Sequence, residues 1–166
     1  MQKKIVKKIN QLNKKFYQNV ADDFSNSRQY FWQGWQKIPQ YLEKNIKNNK
    51  KTQVLDIACG NARFSQFLKV KNINFKYLGT DNSAKLLKIA QKTIDQENID
   101  GQITKFDLID NYLKDQQINW PFTQQFDLIV VFGLTHHLPG HDLRLSFFQS
   151  LKKILNTDGL IIVSNW

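Results

Sequence analysis

Cysteine is all but missing from this sequence. Cys59 stands alone, so no internal disulfide can form, and a reducing, cytoplasmic setting is expected. One cysteine and three histidines do not make a tetrahedral zinc set, and no metal is expected. No apolar run nears the ~20 residues that span a bilayer. No short apolar core precedes a small-residue cleavage site either, so neither membrane insertion nor secretion is expected. Arginine is scarce: Arg28, Arg63 and Arg144 are the only three among 24 basic residues. What remains, 41% hydrophobic and 13% aromatic residues in a 166-residue chain, suffices for one globular core.

Acidic charge is short in one region only. Residues 1–51 carry 12 Lys and Arg against Asp22, Asp23 and Glu43, whereas residues 52–166 carry 12 against 11. The net charge of +10 is thus concentrated in a basic N-terminal extension, a footprint suited to nucleic acid or another polyanion. Plentiful Lys, Asn and Gln also fit the codon bias of an AT-rich genome, which accounts for the amount of lysine but not its segregation. Within the extension Ile5, Ile9, Leu12, Phe16 and Val20 recur at three- and four-residue steps between lysines. This predicts an amphipathic helix with a basic face. It could lie on a membrane or serve as a presequence, but presequences favour Arg and Ser over Lys, Asn and Gln. An apolar stripe packed on its own domain is the preferred reading. An aromatic-rich stretch from Phe24 to Trp35 follows. A second helix is expected over about 38–48, with Pro39 in its first turn, and a lysine-rich linker runs from Lys44 to Lys51.

From residue 52 to 166 the pattern alternates. Apolar runs at 53–58, 75–80, 126–132 and 159–164, with a weaker one near 102–106, read as buried strands. Helical patterns fall between them at about 61–70, 83–95 and 141–155. The second carries Ala84, Leu87, Ala90 and Ile94 inward behind an Asn82 or Ser83 cap; the third carries Leu143, Phe147, Leu151 and Ile154. Strand–helix alternation predicts an α/β, Rossmann-like, doubly wound parallel sheet.

Ligands of such sheets bind at the carboxyl ends of the strands, where strand order reverses. The turn after the first strand, in V-L-D-I-A-C-G-N-A-R, is therefore the place to look. A dinucleotide needs G-x-G-x-x-G there, and the corresponding residues are Gly60, Ala62 and Ser65. Only the first glycine is present, and no G-K-[ST] follows for a phosphate loop. Asp81, in Y-L-G-T-D-N-S, lies 21 residues after Gly60, where a carboxylate can take both hydroxyls of a ribose. Asp107, in I-T-K-F-D-L-I-D, falls where the third strand ends and can meet an adenine amino group. The pattern points to an adenosine without phosphates. Each acid also has a plainer reading: Asp56 tying down the glycine turn, Asp81 capping the next helix, Asp107 as a turn residue.

These stretches, together with F-D-L-I-V-V-F-G-L-T-H-H-L, resemble the successive motifs of class I S-adenosylmethionine-dependent methyltransferases over about residues 52–165. The resemblance implies S-adenosylmethionine as cofactor. It places Asp56, Ala58, Gly60 and Asn61 by the methionine part, Asp81 and Asn82 at the ribose, and Asp107 and Leu108 at the adenine. Phe132, Gly133 and Leu134 would floor the sulfonium. Ala62 departs from the family's usual glycine. Upstream, F-Y-Q-N-V-A-D-D-F-S-N-S-R-Q-Y-F-W resembles the Y-x-x-I-A-x-x-F-S-x-T-R pattern of the tRNA wobble-uridine carboxymethyl methyltransferases and their bacterial relatives, with Val20 and Ser27 as departures. That second resemblance, shared by the His136-His137 pair, implies a tRNA acceptor. By its position Arg28 can pair with the cofactor carboxylate or form a surface ion pair. Of the two histidines, His137 is expected to line the active site and His136 to pack or cap.

A domain of this family continues past the strand L-I-I-V-S-N-W with a helix and two antiparallel strands. The chain is therefore expected to lack the last strands, to order its sheet 3-2-1-4-5 and to leave an apolar edge for a protein partner to cover. Two other functions stay open on the sequence: a small-molecule methyltransferase, and a cofactor-binding domain without activity of its own.

Overall fold

The computed structural model describes residues 1–28, 30–45 and 51–164. Five parallel strands form its centre: β1 (Thr52–Ile57), β2 (Phe75–Asp81), β3 (Gly101–Lys105), β4 (Phe126–Val131) and β5 (Leu155–Val163), in the order β3-β2-β1-β4-β5. This is the expected order. Side chains alternate along the strands and so feed two cores. Leu55, Ile57, Ile129 and Val131 face one side, with α5 (Leu108–Asp115) and α6 (His141–Lys153). Val54, Leu128 and Val130 face the other, with α2 (Ile38–Asn45), α3 (Arg63–Val70) and α4 (Ala84–Gln96). No helix among the described residues is long and apolar enough to cross a membrane.

Most predicted elements fall where expected. Ser83 caps α4, its Oγ accepting from Leu86 N–H at 3.4 Å. Leu143, Phe147, Leu151 and Ile154 are all buried under the sheet. The inner stripe of α4 is Leu86, Ala90 and Ile94, with Ala84 exposed in the first turn. The second helix begins at Ile38, after a 3-10 turn at Gln33–Lys37; residues 46–50, where its expected end and most of the linker fall, lie outside the described residues. The stretch N-T-D-G at residues 156–159, which has the composition of a turn, sits inside β5. Phe126 pairs with Leu155 and Leu128 with Leu160, so one residue of β4 faces four of β5. Asp158 turns there at φ +65°, and Asn156 Nδ2 donates to Asp127 Oδ1 at 2.7 Å.

Two features were not foreseen. The first is α5, a two-turn helix whose N-cap is Asp107, its carboxylate accepting from Asp110 N–H at 2.9 Å. The second is the orientation of α1 (Lys3–Asn26). Three of the five residues of the stripe expected to pack inward face solvent, Ile5, Leu12 and Phe16 being 46%, 60% and 57% exposed, while Ile9 and Val20 are half-buried. Buried instead are Val6, Asn10 and Ala21, with Asn13, Tyr17 and Phe24 half-buried on the same side. Apolar periodicity reports the face that meets a hydrocarbon core. This helix lies largely on something else, the polar rim of a cavity.

Candidate active site

The cavity opens at the carboxyl ends of β1 to β4, where the strand order reverses between β1 and β4, and has a volume of about 180 Å³. Ala58 and Gly60 contribute from the turn after β1, Asp81 and Asn82 from the end of β2, and Asp107 and Leu108 from the end of β3. Phe132, Gly133, Leu134 and His137 come from beyond β4, and Arg28 from beyond α1. The predicted residues Asp56 and Asn61 do not line this cavity; they line an adjoining one of about 60 Å³, shared with Arg28, Trp32, Trp35 and Arg63. Sequence reading missed the roof. Asn10, Asn13, Tyr17, Phe24 and Trp32 close the larger cavity from the α1 side. The signal for three of them, Tyr17, Phe24 and Trp32, lay in the upstream motif.

The turn from Ala58 to Ala62 is sharp. Ala58, Gly60 and Ala62 all take left-handed φ values near +59°, a conformation that costs an alanine roughly 1–2 kcal/mol and glycine far less. At Ala62, where glycine is usual, the methyl is wholly buried in the α2–α4 core. The turn is held by Asp81, whose Oδ2 accepts from Gly60 N–H at 3.0 Å and Oδ1 from Ser83 N–H at 2.8 Å. Burial raises the pKa of Asp81, against the pull of the backbone N–H groups of Ser83, Gly60 and Asn82. Two backbone bonds leave lone pairs on both oxygens for further donors.

Asp56 is buried beneath the same turn. Its Oδ2 accepts from the Tyr77 hydroxyl at 2.7 Å, and desolvation pushes its pKa up to about 7. Beside it Arg63 donates to the Tyr30 carbonyl and lies over the Trp35 ring at 5.1 Å. Arg28 covers the Phe24 ring at 3.7 Å. Burial and then the neighbouring Arg28 lower the Arg63 pKa. Neither arginine is ion-paired among the described residues, and the buried indole N–H of Trp35 has no acceptor there.

Opposite, the Tyr17 hydroxyl and His137 Nε2 are hydrogen-bonded at 2.9 Å. Burial raises the Tyr17 pKa and lowers that of His137, the latter with help from His136, so both rings are held neutral near pH 7. The second bond of the roof falls on Asp107. Lys14 Nζ lies 2.6 Å from Asp107 Oδ2 and 2.9 Å from Asp110 Oδ2, and Asn10 Nδ2 donates to both acids. Asp107 is thus helix cap and roof anchor at once.

A five-stranded parallel sheet with a buried acid at the end of β2 and a glycine turn after β1 defines a class I S-adenosylmethionine-dependent methyltransferase fold. Residues 55–161, well over half of the chain, match the model of the methyltransferase domain family, and the chain belongs to that family. It is 28% identical over 125 residues to the ribosomal protein L11 methyltransferase of Thermosipho africanus, covering 75% of this chain and 41% of that protein. It is 28% identical over 123 residues to the ribosomal RNA small subunit methyltransferase C of Mannheimia succiniciproducens, covering 64% and 35%. The chain therefore spans about two fifths or less of these curated relatives. Among solved structures, an S-adenosylmethionine-dependent methyltransferase from Clostridium acetobutylicum superposes with a TM-score of 0.61 at 19% identity, covering 90% of this chain and 56% of that one.

The cofactor of the family is S-adenosylmethionine. The donor set suits it. Two arginines without acidic partners and an indole N–H without an acceptor among the described residues suit a carboxylate, and buried Asp56 suits an ammonium. Asp81 has lone pairs left for ribose hydroxyls, and Ile57, Leu86 and Leu108 are apolar walls for a purine.

Proposed function

We propose that this chain transfers a methyl group from S-adenosylmethionine to RNA, with the carboxymethyl group of a tRNA wobble uridine as the first acceptor to test. The observation that carries the RNA reading is the roof. Lys3, Lys4, Lys7, Lys8 and Lys15 are exposed on the helix that closes the cofactor cavity, and none is ion-paired among the described residues. A polyanion is drawn to the mouth of the cavity by that field.

The cofactor supplies an electrophilic methyl on a sulfonium. Arg28, Arg63 and Asp56 would hold its amino-acid end, Asp81 with Asn82 its ribose, and Leu108 its base. Phe132 to Leu134 would form the floor. Tyr17 and His137, neutral and facing the cavity, would position the acceptor by hydrogen bonds. A carboxylate acceptor has no proton to lose, so the chain's contribution is orientation and exclusion of water.

The test is transfer of tritium from labelled S-adenosylmethionine into bulk tRNA. Expected are incorporation that falls steeply from 50 to 300 mM salt, release of the label by mild alkali as from an ester, and loss of transfer in Asp81→Ala. Alkali-stable label moves the acceptor to another RNA atom. Salt-insensitive transfer to small molecules, with none to tRNA, overturns the RNA reading.

A further inference from the structure

We infer that Asn10, on the roof helix, reads the 6-amino group of the cofactor's adenine, while Asp107 serves as the anchor that sets Asn10 in place. The inference rests on the S-adenosylmethionine reading of the cavity. Its starting point is the coordination of Asp107. A carboxylate offers about four lone-pair positions. Oδ1 accepts from Asp110 N–H at 2.9 Å and from Asn10 Nδ2 at 3.2 Å; Oδ2 meets Lys14 Nζ at 2.6 Å and Asn10 Nδ2 at 3.4 Å. Asn10 Nδ2 has two hydrogens and gives one to Asp110, so the other is shared between the two Asp107 oxygens. With Asp110 N–H and Lys14 Nζ, three donors take up Asp107 and leave it at most one acceptor position for adenine.

Asn10 is the replacement. It is 1% exposed, lines the cavity, and stands beside Asp107. Its amide cannot be turned round, because Asp107 and Asp110, 3.0 Å away on the latter side, are acceptors only and require the Nδ2 end. The carbonyl end is then free, and it accepts no hydrogen bond among the described residues. Leu108, the first residue of α5, has a backbone N–H with no intrahelical carbonyl to meet. An acceptor on the residue that bonds Asp107 and a donor on the residue after Asp107, both lining the cavity, match adenine's 6-amino group and N1. With a ligand seated that lacks the amino group, the amide carbonyl would be cut off from water and stay unpaired, which is how such a site rejects a near-isostere.

Calorimetry with S-adenosylhomocysteine and with its purine analogue tests this. In the analogue hydrogen replaces the 6-amino group while N1 remains an acceptor. The wild-type chain is expected to prefer S-adenosylhomocysteine by about tenfold or more, the effect of one buried hydrogen bond. Asn10→Ala is expected to reduce the preference below about threefold, chiefly by weakening S-adenosylhomocysteine. Asn10→Ser, which keeps a hydroxyl for the two acids but withdraws the carbonyl, gives the same loss if Asn10→Ala does not fold. Asp107→Asn keeps a carbonyl for Asn10 Nδ2 and leaves Asp110 to hold the amide, so it is expected to weaken both ligands alike and keep the preference. Equal affinities in the wild type overturn the inference, as does a preference that survives Asn10→Ala or vanishes in Asp107→Asn alone. No binding of either ligand by the wild type overturns the cofactor reading beneath it.

Discussion

Asp56 shows how a single residue can be legible by type and not by state. Its place before the glycine turn marked it in the sequence, but the Tyr77 hydroxyl that meets it 21 residues later did not. Unfolded, its carboxyl ionises near 3.8; folded, burial moves that to about 7. Between those values the unfolded chain has released the proton and the folded chain still holds it, so the folded state loses ground as pH rises, then levels off above 7. At about 1.4 kcal/mol per unit, the ceiling is roughly 4 kcal/mol. Asp56→Asn removes the dependence and keeps an acceptor for Tyr77. Urea melts at pH 5 and pH 8 are expected to show the variant gaining on the wild type by a few kcal/mol at the higher pH. A gap that does not change with pH would show that Asp56 titrates normally. The same division runs through the rest of the site. Gly60, Asp81 and Asp107 announce themselves by spacing, whereas Asn10 looks like a surface residue of a helix, because it is buried against two carboxylates and a cavity rim and not in an apolar core.

At the scale of elements, strands and crossover helices were readable because each buries an apolar face in a hydrocarbon core. The two failures have one cause. In α1 the stripe Ile5, Leu12, Phe16 satisfies helical periodicity yet stands outside, while Val6 is the residue that joins the core beside Leu108 and Ile109. In α5 only eight residues are helical, too few for a repeat to be seen, and its cap Asp107 reads equally well as a ligand. The orientation of α1 has a mutational signature. Leu12→Gln is expected to shift stability by no more than about 0.5 kcal/mol, as for any exposed site. Val6→Ala, on the buried face, is expected to cost on the order of 2 kcal/mol. Urea midpoints of the two variants decide the matter, and a larger loss in Leu12→Gln would mean the periodic stripe packs inward after all.

For the whole molecule, the segregation of charge sets what the site can attract. The domain body is nearly neutral, and its two cores are closed by ordinary apolar packing. The excess positive charge sits on the chain before residue 52, and the structure puts its longest helix across the cavity mouth. One helix therefore presents a polar face to the cavity and lysines to solvent. If those lysines bind RNA phosphates, each contact releases condensed counterions and adds about 0.7–0.9 to the slope of log affinity against log salt. Replacing Lys3, Lys4, Lys7, Lys8 and Lys15 together by Gln removes up to five such contacts without touching Asn10, Lys14 or Tyr17. The expected result is a slope for tRNA binding reduced by up to about 3.5–4.5, with the affinity for S-adenosylhomocysteine unchanged. An unchanged slope would place the RNA on another surface. A fall in cofactor affinity would mean that the outer lysines seat the roof itself, and that its charge serves the fold before it serves the acceptor.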